Sequence, residues 1–265
     1  AVKKIGGSLN WWAGTVSGGN LVINDTASAQ LGAGQTSLGT LATTFVNNGT
    51  VNLVTGYGGC CIGPVFSMTN GTIENNGQFI FSQTGGGGIY NETLSGGTFN
   101  NNSSGTIINN LMANAGQYGD NEIYLRNTVF TNNGTILANG KSLNIFPVTN
   151  PVIGGTITIA AGSQVKFGIP STTTTIASNA VINGAGTLYF FDGNHQVNTT
   201  SYDVGSTYIG QTYSAANVYF NASNVALDYL FIYSGVLGGP ATKLLKDDLV
   251  FISGQLTGGS IENTD

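Results

Sequence analysis

The chain has 265 residues and a formal net charge of −5, with 7% charged residues against 40% hydrophobic ones and 41 glycines. An average soluble domain carries about 25% charge; here Gly, Asn, Thr and Ser take its place, a mixture that suits strands and corners and starves helices. Seven basic residues leave no patch able to neutralise a phosphate backbone, which excludes nucleic acid, and apolar clusters spread along the whole length exclude disorder.

The chain opens Ala1-Val2-Lys3-Lys4 without an initiator Met, as a mature N-terminus does after signal-peptide removal, although a fragment boundary would look the same. Next comes Ile5-Gly6-Gly7-Ser8-Leu9-Asn10-Trp11-Trp12, the first case of a small-residue corner followed by a Ser or Thr and an apolar residue. The unit returns as Gly49-Thr50-Val51, Gly71-Thr72-Ile73, Gly97-Thr98-Phe99, Gly105-Thr106-Ile107, Gly134-Thr135-Ile136, Gly155-Thr156-Ile157, Gly186-Thr187-Leu188 and Gly259-Ser260-Ile261. Asn or Gly makes the corner, by a positive φ or a tight turn, and Thr plus a branched apolar residue starts a short strand. One such unit cannot bury its own apolar side, but stacked copies can. The intervals between anchor glycines are uneven and fit coils of about twenty residues with insertions at corners. Within segments such as Phe79-Ile80-Phe81 and Thr156-Ile157-Thr158-Ile159, alternation at period two predicts a sheet with one buried face. Twelve or so coils at ~4.8 Å each give a rod about 55 Å long.

The apolar runs, the longest being Val225 to Val236, are broken by Asn, Asp, Ser and Gly well short of the ~18 residues of a membrane helix, so no membrane insertion is expected. Strands of three to six residues are also too short for a membrane barrel, whose segments run to about ten.

Single sites are sparse. Cys60 and Cys61 are adjacent and the chain has no others; their Cα atoms lie ~3.8 Å apart, below the usual disulfide span of about 4.4–6.8 Å. Free thiols, a strained vicinal ring and a bond to another chain all stay open. The run Gly85 to Gly88 has no following Lys-Ser/Thr and reads as a corner, not a phosphate loop. Asp120-Asn121-Glu122 followed by Arg126 is the best candidate for carboxylate chemistry, because residues two apart on a strand share a face; an exposed, solubilising loop is the simpler reading. Thr172 to Thr175 is one run and does not make the repeated array that ice binding needs. His195, the sole histidine, sits in Asp192-Gly193-Asn194-His195 and is expected in an exposed turn, with no partner for zinc or for a Ser-His-Asp triad. No catalytic residue, metal or cofactor is predicted.

From Tyr202 to Leu249 the triplet fades and Tyr208, Tyr213, Tyr219, Phe220, Tyr229, Phe231 and Tyr233 accumulate. Continued β structure is expected there, as wider coils, a side sheet or a cap, with Ala241 to Asp248 the one stretch able to make a helical turn. Leu256-Thr257-Gly258-Gly259-Ser260-Ile261-Glu262-Asn263 repeats Met68-Thr69-Asn70-Gly71-Thr72-Ile73-Glu74-Asn75, but the strand that follows the earlier copy is missing after the later one. An open coil exposes a sheet edge. Ile5, Leu9, Trp11 and Trp12 at one end and Leu256 and Ile261 at the other are therefore the candidate joint between subunits, though the tryptophans could simply plug the first coil.

Asn-X-Ser/Thr sites occur at Asn24, Asn48, Asn70, Asn91, Asn101, Asn102, Asn133, Asn198 and Asn221, candidate glycosylation sites if the protein is secreted by a eukaryote. The organisation expected is one elongated β-solenoid over 1–265: regular coils to 200, a divergent part at 201–250 and an open coil at 251–265.

Asn47 to Val51 and Asn132 to Ile136, with Gly96 to Phe99, resemble the Asn/Gly-rich parallel β-helix repeats of secreted adhesins and filamentous-haemagglutinin-like surface proteins, over about residues 40 to 190. The resemblance implies an all-β fold, a right-handed parallel β-helix, in an extracellular or cell-surface setting. The function expected is a non-enzymatic structural subunit of an extracellular fibre, its partner another copy stacked head to tail. A carbohydrate-binding adhesin, with Tyr and Asn side chains on sugars, is the alternative; a polysaccharide-cleaving enzyme, which needs paired carboxylates, comes third.

Overall fold

The structure, a computed structural model, describes residues 1–33, 39–55, 65–83, 91–110 and 122–264, with side chains at these positions except 33, 55, 65, 83 and 91–93. Every regular element among them is a strand, and the ladders between strands are parallel. The chain winds through three faces per coil. The first face is a 12-stranded sheet taking one strand from each coil: Val2–Ile5, Asn20–Ile23, Thr44–Asn47, Thr72–Asn75, Thr98–Asn101, Val129–Asn132, Val152–Ile153, Thr173–Ile176, Gly193–Val197, Ala216–Phe220, Gly235–Gly238 and Gln255–Leu256. The fold is thus an all-β parallel β-solenoid whose described residues contribute a first-face strand to each of twelve successive coils, with two strands described in the last. The second and third faces run as separate ladders until Val181–Phe190 and Ser201–Ile209, each long enough to cross the corner and join them into one 18-stranded sheet.

The repeated triplet works as the alternation predicts. In Thr72–Asn75, Thr98–Asn101 and Thr135–Ala138 the Thr is half-exposed and the next apolar residue is buried. Register then stacks like on like: Ile73 beside Phe45 and Phe99, and Ile107 beside Ile136 and Ile136 beside Ile157. The triplets do not all lie on one face, however. Gly71 and Gly97 precede first-face strands, Gly49, Gly105, Gly134 and Gly155 second-face strands, and Gly186 leads into the third-face part of Val181–Phe190. Mixing faces is what makes the intervals uneven.

Gly97, Gly155 and Gly259 take the positive φ expected of a corner, but other corner glycines serve a different purpose. Gly77, Gly105 and Gly134 have no positive φ; a Cβ at each would instead overlap the backbone oxygen of Gly49, Asn75 and Gly105 respectively, one coil below. The corner needs glycine because coils close to sheet spacing there, leaving no room for a side chain.

One inward column of the first face changes character along the rod. It begins with Ile5 and Ile23, continues as Asn47, Asn75, Asn101 and Asn132, and returns to Ile153, Ile176, Val197 and Phe220. The four asparagines are fully buried. Each of the first three donates from Nδ2 to Oδ1 of the next at 2.7 Å and also to the carbonyl of Gln78, Thr106 or Thr135; Asn132 ends the run on the carbonyl of Gly154 at 2.6 Å. Buried amides are costly unless satisfied, and stacking identical residues one coil apart satisfies them in series.

The Tyr-rich part continues the stack. Gly193–Val197, Ala216–Phe220 and Gly235–Gly238 pair in the first face, and Tyr229–Ile232 pairs with Ser206 to Ile209 in the third. Only the second face is interrupted, where Asn224–Leu227, Thr242–Leu245 and Ser260–Asn263 form their own three-stranded sheet. The stretch Ala241 to Asp248 is not helical: Thr242–Leu245 is a strand with Lys243 and Leu245 inward, because its neighbours offer a parallel ladder that outweighs weak local propensity.

Candidate functional site

The third face divides along its length. In the first four coils its described outward side chains are small: Thr15, Ser17, Thr40, Ala42, Ser67 and Ser95. From the fifth coil the register aligns Tyr124, Asn144, Lys166, Tyr189, Tyr208 and Phe231 in one outward column. Beside it run Phe146, Phe191 and Tyr233. Phe146 and Phe191 belong to coils two apart, yet their centroids are 5.5 Å from each other. Gly168 stands in the intervening coil, where a Cβ would overlap the Asp192 carbonyl oxygen, and its missing side chain lets the rings meet. Further contacts link Tyr189 to Phe191 and Tyr208, and Phe231 to Tyr208 and Tyr233, at 5.1–5.8 Å. The Tyr189 hydroxyl donates to the Gly210 carbonyl at 3.0 Å. The tyrosines from 202 onward stand out in the sequence, whereas Tyr124, Phe146, Tyr189 and Phe191 do not. The signal was present as aromatics two apart, Tyr189/Phe191 and Tyr229/Phe231/Tyr233, the spacing of one strand face.

Charges gather at the fifth-coil end of this stripe. Glu122 Oε1 accepts from Lys166 Nζ at 2.9 Å, the Tyr124 hydroxyl donates to the other oxygen of Glu122, and the Arg126 guanidinium lies 3.6 Å from the Tyr124 ring centre. Burial, reinforced by the Glu122 contact, pushes the Tyr124 hydroxyl up to about 12, so it remains a neutral donor. The sequence-predicted group is thus brought together in part: Glu122 and Arg126 both engage Tyr124, while Asp120 and Asn121 lie outside the described residues. Among those residues no group of three or more His, Cys, Asp or Glu side chains could hold a metal ion, and no helix is long and apolar enough to cross a membrane.

His195 is not in an exposed turn. It sits inside the strand Gly193–Val197, fully buried, with Nε2 2.9 Å from the Asp192 carbonyl oxygen and its ring 4.8 Å from that of Phe190. The turn residues are real, but the strand starts at Gly193 and alternation carries His195 inward. Burial lowers its pKa to about 4, which keeps it neutral. Thr174, its neighbour in the next coil, is also inward and buried, so the Thr172 to Thr175 run presents no unbroken hydroxyl row.

At the first coil Ile5 and Leu9 are half-buried and, with Val16, pack on the core. Trp11 is a correction: only 7% exposed, it donates from Nε1 to the Ala13 carbonyl and meets Phe66 edge-on at 5.1 Å, so it fills the interior and offers no surface to a joint. Trp12 is 49% exposed and lies against Gly32, where a Cβ would overlap its ring; it covers the wall of the second coil. At the other end Leu256 is 50% exposed and Ile261 packs on the core. These two line a cavity of about 210 Å³ with Leu237, Lys243, Gly258 and Ser260. Lys243 is buried in the column Val225–Lys243–Ile261 and donates to the carbonyls of Gly239 and Gly258 at 2.9 and 3.3 Å; burial lowers its pKa.

Among the sequon asparagines, Asn48, Asn70, Asn133 and Asn221 are exposed and Asn24, Asn102 and Asn198 half-buried. Asn101 is withdrawn as an acceptor, since its Nδ2 lies in the core bonded to Asn132. The side chain of Asn91 and both Cys60 and Cys61 lie outside what the structure describes. Comparisons with protein families, with curated proteins and with solved structures return no match.

Proposed function

We propose that the chain is a non-enzymatic structural subunit of an extracellular fibre or surface appendage, akin to the adhesin-like and filamentous-haemagglutinin-like solenoids, and that copies stack end to end. The supporting observation is the charge of the two terminal regions. Val2–Ile5 in the first coil exposes Lys3 and Lys4, whereas Asp247, Asp248 and Glu262 are exposed on the last two. The first coil and the last coil both expose parallel strand edges on the first and second faces, so a first coil can pair on a last coil there, in a heterologous contact that propagates. Opposite charge favours that order over head-to-head pairing. The exposed sequons and the scarcity of charge suit a secreted setting.

Sedimentation velocity and electron microscopy of the 265-residue chain test this. Filaments that shorten as salt rises are expected. Lys3→Glu/Lys4→Glu should abolish growth, and mixing with Asp247→Lys/Asp248→Lys should restore it. A monomer at every concentration, or growth indifferent to the charge reversal, would overturn the reading.

A further inference from the structure

We propose that the aromatic stripe of the third face binds an extended, uncharged polysaccharide strand lying along the solenoid axis. The proposal does not depend on end-to-end assembly.

Four observations carry it. Outward rings are sorted onto one face and one stretch of coils, while the described outward side chains of the same face in the first four coils are Thr15, Ser17, Thr40, Ala42, Ser67 and Ser95. Covering the sheet does not therefore require aromatics. The accessible rings advance along the axis over the coils from Phe146 to Phe231, about 19 Å at ~4.8 Å per coil. A run one or two side chains wide and that long has the shape of a sugar chain; it falls short of the ~800 Å² per partner that a stable protein interface needs.

The second observation is hydrogen-bonding capacity. The hydroxyls of Tyr208, Tyr229 and Tyr233 make no hydrogen bond among the described residues, although that of Tyr189 is pinned to Gly210. Each free phenol can donate and accept, which matches sugar hydroxyls, while the ring bodies match the C–H faces of pyranose rings.

Third, the rings from Phe146 to Tyr233 are part-exposed, whereas Tyr124 is buried, and most neighbours are tilted, by 34° between Phe146 and Phe191, 68° between Tyr189 and Phe191 and 56° between Tyr189 and Tyr208. They do not seal one another's faces as the 13° pair Tyr208/Phe231 does. Mutual packing and the Tyr189 bond hold them in place before any ligand arrives, which reduces the ordering cost of binding.

Fourth, charge decides the ligand class. Lys166 is neutralised by Glu122, and Asp247 and Asp248 act on Tyr229 at the far end. An anionic chain would meet repulsion there and, among the described residues, no unpaired cation between Phe146 and Tyr233, Arg126 lying over Tyr124 at the fifth-coil end.

Native affinity electrophoresis in gels containing hydroxyethylcellulose, arabinoxylan or glycol chitin, with polygalacturonate as the anionic control, tests the site. At least one neutral polymer should retard the protein and polygalacturonate should not. Tyr189→Ser/Phe231→Ser should weaken retardation at least tenfold, and Tyr208→Phe, which keeps the ring and loses only the hydroxyl, by a few-fold. Circular dichroism checks folding; if the double variant does not fold, Tyr208→Ser alone carries the test. Failure of all three neutral polymers, equal retardation by polygalacturonate, or undiminished binding by the folded variants would overturn the proposal. So would loss of self-association in the stripe variant, because a second copy would then be what covers these rings.

Discussion

The cores of the third to sixth coils and of the eighth to eleventh both contain buried polar side chains, and they treat them in opposite ways. In the first region the polar residue is repeated: Asn47, Asn75, Asn101 and Asn132 occupy one column and bond to one another. In the second each polar residue occurs once. Thr174 Oγ1 and His195 Nδ1 are buried with no hydrogen-bond partner, Tyr202 and Thr207 share a single bond at 2.8 Å, and Lys243 leans on two backbone carbonyls. The difference teaches that a solenoid can bury an amide when every coil repeats it, since each copy supplies its neighbour's acceptor. A polar residue met once finds no copy of itself above or below to complete its bonds: His195 lies between Thr174 and Val218 and bonds to neither.

The largest effect should come from breaking the ladder in the middle. Asn101→Ala strands the Asn75 donor, the Asn132 oxygen and the Thr135 carbonyl together, at ~1–3 kcal/mol for each group left unsatisfied. We expect a loss of about 4 kcal/mol in chemical denaturation, centred on the third to sixth coils.

Acid should act on the other region. His195 titrates at about 4 when folded and near 6.5 when unfolded, so between those values the unfolded chain binds more protons and stability falls as pH falls. The loss approaches about 3 kcal/mol below pH 4. His195→Leu should remove that part of the acid slope, and a slope that the substitution leaves unchanged would show that His195 is not its source.

The smallest effect has the opposite sign. Thr174→Val removes an unpartnered hydroxyl and keeps the shape, so it should stabilise by up to about 1 kcal/mol. A loss of more than that would mean the hydroxyl is satisfied after all, by a buried water for example.

Much of this was legible from the chain. The Gly-Thr-apolar triplet gives strand, corner and inward face by local chemistry alone, and the all-β solenoid follows from stacking. What could not be read depends on which coil lies above which. Asn101 reads as a sequon because Asn-X-Ser describes a linear neighbourhood, whereas its burial is decided by Asn75 and Asn132, separated from it by 26 and 31 residues. His195 reads as a turn residue because Asp192-Gly193 does make a turn, and only the register with Thr174 puts it inside. The aromatic stripe needs the same knowledge, since Phe146 and Phe191 meet across a glycine in a third coil.

Native-state hydrogen exchange on Asn101→Ala and Thr174→Val, read strand by strand, tests the claim about repetition most directly. If the asparagines support each other in series, Asn101→Ala will speed exchange together across Thr44–Asn47, Thr72–Asn75, Thr98–Asn101 and Val129–Asn132, and Thr174→Val will leave Thr173–Ile176 as protected as before. Faster exchange confined to Thr98–Asn101, with the other three strands unchanged, would contradict it.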